Sequence, residues 1–214
     1  MRIAMYGVTG NLGPIFAGEA LNRGHSVTAI VRDPARMKLS HKNLSVMTGD
    51  VTDPASVAKA VAGHDVVIAS ITGRRDGNHQ VVLQAAHTLL EALPRAGIKR
   101  LLWVGGTSSL EVKPGVTFLE SPEYPAPASL EPATAFEVYK TFKGSSGGVE
   151  WSFFSPARGI TRGERTGRYR TGVDAVLRDA EGTFSKFTWE DYAVALVDEL
   201  EHPKHTRQRW TAAY

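Results

Sequence analysis

An α/β fold built on a doubly wound parallel sheet is predicted by three observations. Short apolar strands alternate with helical patterns along most of the chain, one strand is a near-continuous β-branched run, and the first strand runs into a helix through a glycine-rich turn. The first strand, Ile3 to Tyr6, ends at Gly7-Val8-Thr9-Gly10-Asn11-Leu12-Gly13. Gly7 lets the backbone leave the strand at an angle, Gly10 lets it approach a pyrophosphate, and Gly13 lets the helix pack close to the sheet. Pro14 suits the first helical turn, Phe16, Ala17, Ala20 and Leu21 recur at helical spacing, and Gly24 supplies the stop.

Ser26 to Val31 reads as the second strand and Leu44 to Thr48 as the third. Asp53 caps a helix with Pro54 in its first turn and Gly63 at its end. Asp65 to Ile71 is the β-branched run, expected to be covered on both faces. A longer helix follows from about Asn78 to Ala96, its stripe formed by Val82, Ala85, Ala86, Leu89, Leu90 and Leu93, with Pro94 an irregularity near its end. Leu101 to Val104, Glu150 to Ser155 and a short Trp210 to Ala212 complete the strands. Thr188-Trp189-Glu190-Asp191 opens a late helix in capping-box style, with Tyr192, Val194, Ala195, Leu196 and Leu200 expected at mixed packing and surface positions. One domain over residues 1–214 is expected, with small C-terminal additions.

Composition is ordinary for a soluble α/β protein: 42% hydrophobic and 22% charged, with 25 basic against 22 acidic side chains giving +3. The slight basic excess is spread out, so no nucleic-acid partner is expected. Its one cluster, Arg162, Arg165, Arg168 and Arg170, reads as a solvated loop. Without cysteine there is no disulfide, thiolate metal site or cysteine nucleophile. No apolar run approaches the roughly 20 residues that span a bilayer, and the amino-terminal residues carry no signal-peptide pattern. A cytoplasmic protein without a membrane partner is expected. The seven histidines read as surface residues, and none combines with carboxylates at metal-site spacing, His202-x-x-His205 included.

Ligands on such sheets sit beyond the carboxyl ends of the strands, which turns the strands into a list of sites. The rule selects Gly7 to Gly13, Arg32, Asp50 with Val51, Ala69, Ser70 and Ile71, Gly105 and Gly106 with the hydroxyls that follow, and Pro156 to Arg158. Amides at the helix start face a diphosphate. Arg32 stands 19 residues after Gly13, where an acidic side chain would hold the ribose of NAD; arginine suits the 2′-phosphate of NADP, and Arg36 can share it. Asp50 and Val51 would flank the adenine, with Ala69 to Ile71 beneath the pyrophosphate and ribose.

These residues carry a resemblance. The glycine turn, Val31-Arg32-Asp33-Pro34, Gly49-Asp50-Val51, Leu102-Trp103-Val104-Gly105-Gly106-Thr107-Ser108-Ser109-Leu110 and Ser155-Pro156-Ala157 resemble those of atypical short-chain dehydrogenase/reductases, close to NmrA-like and biliverdin/flavin reductase-like proteins. Gly163 to Tyr169 and Glu190-Asp191-Tyr192-Ala193 resemble a bacterial subgroup of NAD(P)H-binding, oxidoreductase-like proteins. The resemblance implies a Rossmann-type NADP site and reductase ancestry, and Arg32 favours NADP over NAD.

The wider superfamily pairs a proton-donating tyrosine with a lysine four residues on, and Tyr139 and Lys143 have that spacing. Position argues against them. If their helix begins near Glu131 or Pro132, Tyr139 lies about 10 Å down its axis from the cofactor side at 1.5 Å per residue, and Gly144 stops the helix just past Lys143. Ser108, and after it Ser109, follows the central fifth strand beside the expected nicotinamide and is the first choice for holding a substrate carbonyl. The resemblance also allows hydride transfer without a tyrosine acid. Gly73 to Gly77, with Arg74 and Arg75, and the stretch 111–130, with Pro114, Pro122, Pro125 and Pro127, are expected to wall the pocket, the latter as a shaped loop. Two functions follow: an NADPH-dependent reductase of a quinone, flavin or related small acceptor, or an NADP-binding redox sensor that signals to a protein partner.

Overall fold

The computed structural model describes residues 1–74, 77–125 and 130–214. Its first strand, β1 (Arg2–Tyr6), shows how the sheet is built: Ile3 and Met5 face one core, Ala4 and Tyr6 the other, and all four are buried. Period-two alternation between two apolar faces is what a strand covered on both sides requires. The same alternation recurs in β2 (Ser26–Val31), β4 (Val66–Ala69), β5 (Arg100–Val104) and β8 (Glu150–Phe154), while β3 (Leu44–Thr48) and β10 (Arg170–Val173) are edges with exposed residues.

With β12 (Gln208–Ala213) the main sheet runs β10-β12-β8-β5-β4-β1-β2-β3. Every neighbouring pair is parallel except β10 with β12, which closes the edge antiparallel. The chain goes outward from β1 to β2 and β3, returns to β4 on the other side, and continues through β5, β8 and β12. This Rossmann-type reversal leaves a crevice between β1 and β4.

Helices cover both faces, with α1 (Gly13–Asn22) and α5 (Trp189–Glu201) on one side and α2 (Pro54–Val61), α3 (Gln80–Arg95) and α4 (Glu131–Gly144) on the other. Asp53 caps α2 as expected, its side chain accepting from the Ala55 amide at 2.9 Å. Pro94 sits in the last turn of α3, so its missing N–H affects a bond near the helix end, and the Ala96 amide closes that end on Ala92 and Leu93.

Several expectations are corrected. Helix α5 has no mixed face: Tyr192, Val194, Ala195, Leu196 and Leu200 are all buried, because segment 163–169 covers what would be its outer side. Thr188 caps α5 by accepting the Asp191 amide at 3.1 Å, but the Asp191 carboxylate does not return the bond. It accepts instead from the Thr166 and Gly167 amides at 2.9 and 2.7 Å and from the Thr166 and Tyr214 hydroxyls. Within the arginine cluster, Arg165 makes a bidentate pair with the buried Glu19 of α1, at 2.7 and 2.9 Å, so this loop is tied down. His25 and His205 are buried because acidic partners accompany them, Glu201 at 2.8 Å and Glu199 at 2.7 Å, and His205 stacks on Trp210. The stretch after β5 opens with a hairpin, β6 (Glu111–Lys113) and β7 (Val116–Thr117), and β9 (Gly159–Thr161) pairs with β11 (Lys186–Thr188) in a second small sheet.

Candidate functional site

The carboxyl ends of β1, β2, β4, β5 and β8 open into one cleft of about 920 Å³. The turn between β1 and α1 forms its centre. Gly7 has φ +87°, and a Cβ there would lie 1.9 Å from the Ser70 carbonyl oxygen at the end of β4. A Cβ on Gly13 would lie 2.1 Å from the Gly7 carbonyl oxygen, so helix and turn meet backbone to backbone. Gly10 donates its amide to Gly7 at 3.0 Å, and the amides of Asn11, Leu12 and Gly13 make no bond among the described residues. These are donors an anion can take, at the positive end of the α1 dipole. The cradle fits a diphosphate. Thr9, Gly10, Asn11 and Leu12 line the cleft, whereas Gly13 lies beneath it and contributes close packing.

Arg32 and Arg36 line one end, following β2, with Asp33 capping the short turn between them through a 3.0 Å bond to the Ala35 amide. Asp50 and Val51, after β3, line the adjoining wall; the Asp50 carboxylate is held by the Thr52 amide and hydroxyl at 2.8 Å. Tyr6 also lines this end. Its hydroxyl is buried without a partner among the described residues, and burial together with the Asp50 charge raises its pKa, so it stays a neutral phenol. Ser70 and Ile71 line the cleft, but Ala69, the last residue of β4, is fully buried behind them.

Beyond β5 and β8 the cleft is lined by Gly105, Gly106, Thr107, Ser108 and Pro156. The loop 105–110 is fastened on all sides: Thr107 donates to the Pro156 carbonyl at 2.9 Å, Ser108 to Pro132 at 2.9 Å, and the buried Arg209 donates to the Ser109 carbonyl. Ser108 thus lines the cleft with its hydroxyl hydrogen donated to the Pro132 carbonyl of α4. Ser109 is fully buried outside the cleft, bonded to Gly106 and facing Ser155 at 3.3 Å.

Tyr139 and Lys143 stand apart from the cleft. The Tyr139 ring packs edge-on against Phe153 with the Arg209 guanidinium 4.1 Å above it, and its hydroxyl reaches Asp174 at 3.4 Å. Burial raises its pKa; Arg209 works against that, while Asp174 adds to it. Lys143 is exposed in the last turn of α4. Tyr139 is thus a buried packing residue, Lys143 an exposed one, and neither lines the cleft.

The walls of this end come from Phe118, Tyr124, Pro125, Arg158, Ile160 and Trp189. Phe118 and Tyr124 pack edge to face at 4.8 Å, and Phe118 lies 5.1 Å from Phe184. Across the mouth, Arg74 pairs with Glu131 at 2.5 Å and Thr72 donates to the same carboxylate at 3.1 Å. Arg75 and Pro127, expected here, lie outside the described residues. The carboxyl-end rule selected Arg158. It had no means of finding Phe118, Tyr124 and Trp189, although the aromatic positions among the prolines of 111–130 were the available signal.

Residues 7–203 match the family described as NAD(P)H-binding. YwnB of Bacillus subtilis is 34% identical over 214 residues, covering 99% of this chain and 97% of that one. A candidate exported protein of Burkholderia pseudomallei is similar in structure, with a TM-score of 0.90 at 38% identity over 100% of both chains. A candidate NADH-flavin reductase of Streptococcus pneumoniae superposes with a TM-score of 0.86 at 26% identity, over 100% and 99% of the chains. Among the described residues no helix is long and apolar enough to cross a membrane. Fold, glycine cradle and similarity agree that the chain belongs to the NAD(P)H-binding family of atypical short-chain dehydrogenase/reductases.

Proposed function

We propose that the protein is an NADPH-dependent reductase that passes hydride to a small conjugated acceptor such as a quinone or flavin. The observation that carries this reading is the continuity of the cleft. It runs from two arginines after β2, over a glycine cradle that admits no side chain, to an end walled by aromatic rings. The amides of the turn before α1 bind the diphosphate, Arg32 and Arg36 take the 2′-phosphate, and Asp50, Val51, Ser70 and Ile71 border the adenosine. When bound, the nicotinamide supplies two electrons and one hydrogen as hydride from its C4. Gly105, Gly106 and Pro156 present backbone and ring surface beside it, and the rigid 105–110 loop keeps that surface in place. Water supplies the accompanying proton, since the Ser108 hydroxyl hydrogen is engaged by the Pro132 carbonyl and Tyr139 lies outside the cleft. A cytoplasmic location goes with the supply of NADPH this chemistry needs.

The same two residues favour a second reading, an NADP-binding sensor that responds to the redox state of the cofactor and passes it to a protein partner. Steady NADPH oxidation, followed at 340 nm with a panel of quinones and flavins, separates the two. Turnover that saturates with acceptor supports the reductase, and tight cofactor binding without turnover supports the sensor.

A further inference from the structure

Arg158 follows β8, at the opposite end of the cleft from Arg32. Four strand spacings of about 4.8 Å separate β8 from β2, on the order of 19 Å across the sheet. The glycine turn and Arg32 therefore serve the cofactor phosphates without it. Its guanidinium carbon sits 5.0 Å from the centre of Phe184 and 5.5 Å from that of Phe118, which orients the planar group, and among the described residues none of its N–H donors makes a hydrogen bond. Among the described residues no carboxylate pairs with it, in contrast to its neighbours: Arg178, also over Phe184, is held by Glu123 at 2.8 Å, and Arg74 is held by Glu131. The Arg158 charge also reaches Tyr124, whose pKa burial raises, Glu131 raises further and Arg158 works to lower.

We propose that Arg158 anchors an anionic substituent on the hydride acceptor, so that the substrate is a planar conjugated molecule carrying a carboxylate, phosphate or sulfonate. The inference rests on the reductase reading and narrows it. An aromatic wall gives such a molecule a stacking surface, and a pre-oriented guanidinium gives its anion a two-pronged partner whose bonds are stronger than neutral ones. Neutral quinones would enter the same space without that bond.

The test uses pairs of probes that share a ring and differ in charge: FMN with riboflavin, and 1,2-naphthoquinone-4-sulfonate with 1,2-naphthoquinone. Each is titrated into the NADP⁺-saturated protein by tryptophan fluorescence, and each is assayed for NADPH oxidation. The expected result is that at least one anionic member binds about tenfold tighter than its neutral twin. Arg158→Gln should bring that pair to within about twofold by weakening only the anionic member, with NADPH affinity unchanged, and Arg158→Lys should restore part of the preference. Equal binding within both pairs, no binding of any probe, or equal losses for both members in Arg158→Gln would overturn the proposal. A wild-type protein that fails to bind NADPH in a separate titration would instead remove the reductase reading beneath it.

Discussion

Arg32 and Tyr139 are both polar residues that a reader of the sequence would place in a dehydrogenase site, and the structure gives them different surroundings. Arg32 lines the cleft at the carboxyl end of β2, where a 2′-phosphate would gain charge-assisted bonds. Arg32→Ala should weaken NADPH by about tenfold or more while changing NADH by less than about twofold, as read by calorimetric titration of each cofactor. Equal losses for both would assign Arg32 to the fold. Tyr139 lies among Phe153, Arg209 and Asp174. Tyr139→Phe removes only a long 3.4 Å contact to Asp174. Its kcat with any accepted quinone should stay within about twofold of wild type, since a lost general acid costs on the order of a hundredfold or more. A loss of that size would bring the tyrosine back into the chemistry. The glycine turn and the place of Arg32 at the end of β2 were legible in the sequence because each follows directly from a strand's carboxyl end. The structural use of Tyr139 was not, because its partners Asp174 and Arg209 lie 35 and 70 positions further along the chain.

At the scale of elements, the central strands of the main sheet were readable because burial on both faces imposes apolar runs, whereas the exposed edge strand β10 was not and its Arg170 was read as part of a solvated loop. The small strands β6, β7, β9 and β11 were not, because each is two or three residues long and exists only through its partner. Helix α5 shows the same limit from the other side, since its polar first turn looks solvated until segment 163–169 folds over it. Asp191 holds that segment. Burial works to raise its pKa, but bonds from Thr166, Gly167 and Tyr214 outweigh burial and hold it below the ordinary carboxylate value. A depressed folded-state pKa contributes stability that is present above the unfolded value, about 3.9, and is lost as pH falls through the folded value. Asp191→Asn should therefore lower stability at pH 7 by about 1–3 kcal/mol and flatten the decline below pH 4, as measured by urea unfolding across pH. An unchanged acid limb would show that another carboxylate, such as Glu19 with Arg165, governs it.

The whole molecule is organised around the reversal of strand order at β1, which places a backbone cradle in the middle of the sheet, an arginine-lined end on one side of it and an aromatic-walled end on the other. That placement follows from chain topology. Sequence pattern alone located the cradle, and only the fold brought Phe118 and Tyr124 of one segment and Trp189 of another to one wall. Because the cradle is part of the core packing as well as the site, ligand binding and global stability are linked. NADP⁺ at about a hundred times its dissociation constant should raise unfolding free energy by about 2.7 kcal/mol, which for a chain of this size is roughly 5–10 °C in Tm. Gly7→Ala places a methyl against the Ser70 carbonyl at a backbone angle that side chains rarely adopt. It should lower the Tm of the ligand-free protein and also abolish the NADP⁺-dependent rise, because the turn cannot keep its amides convergent once it is pushed off β4. A Gly7→Ala protein with a lowered Tm but the full ligand-dependent rise would separate packing from binding and place the diphosphate elsewhere in the cleft. Differential scanning fluorimetry of both proteins, with and without NADP⁺, decides between these outcomes.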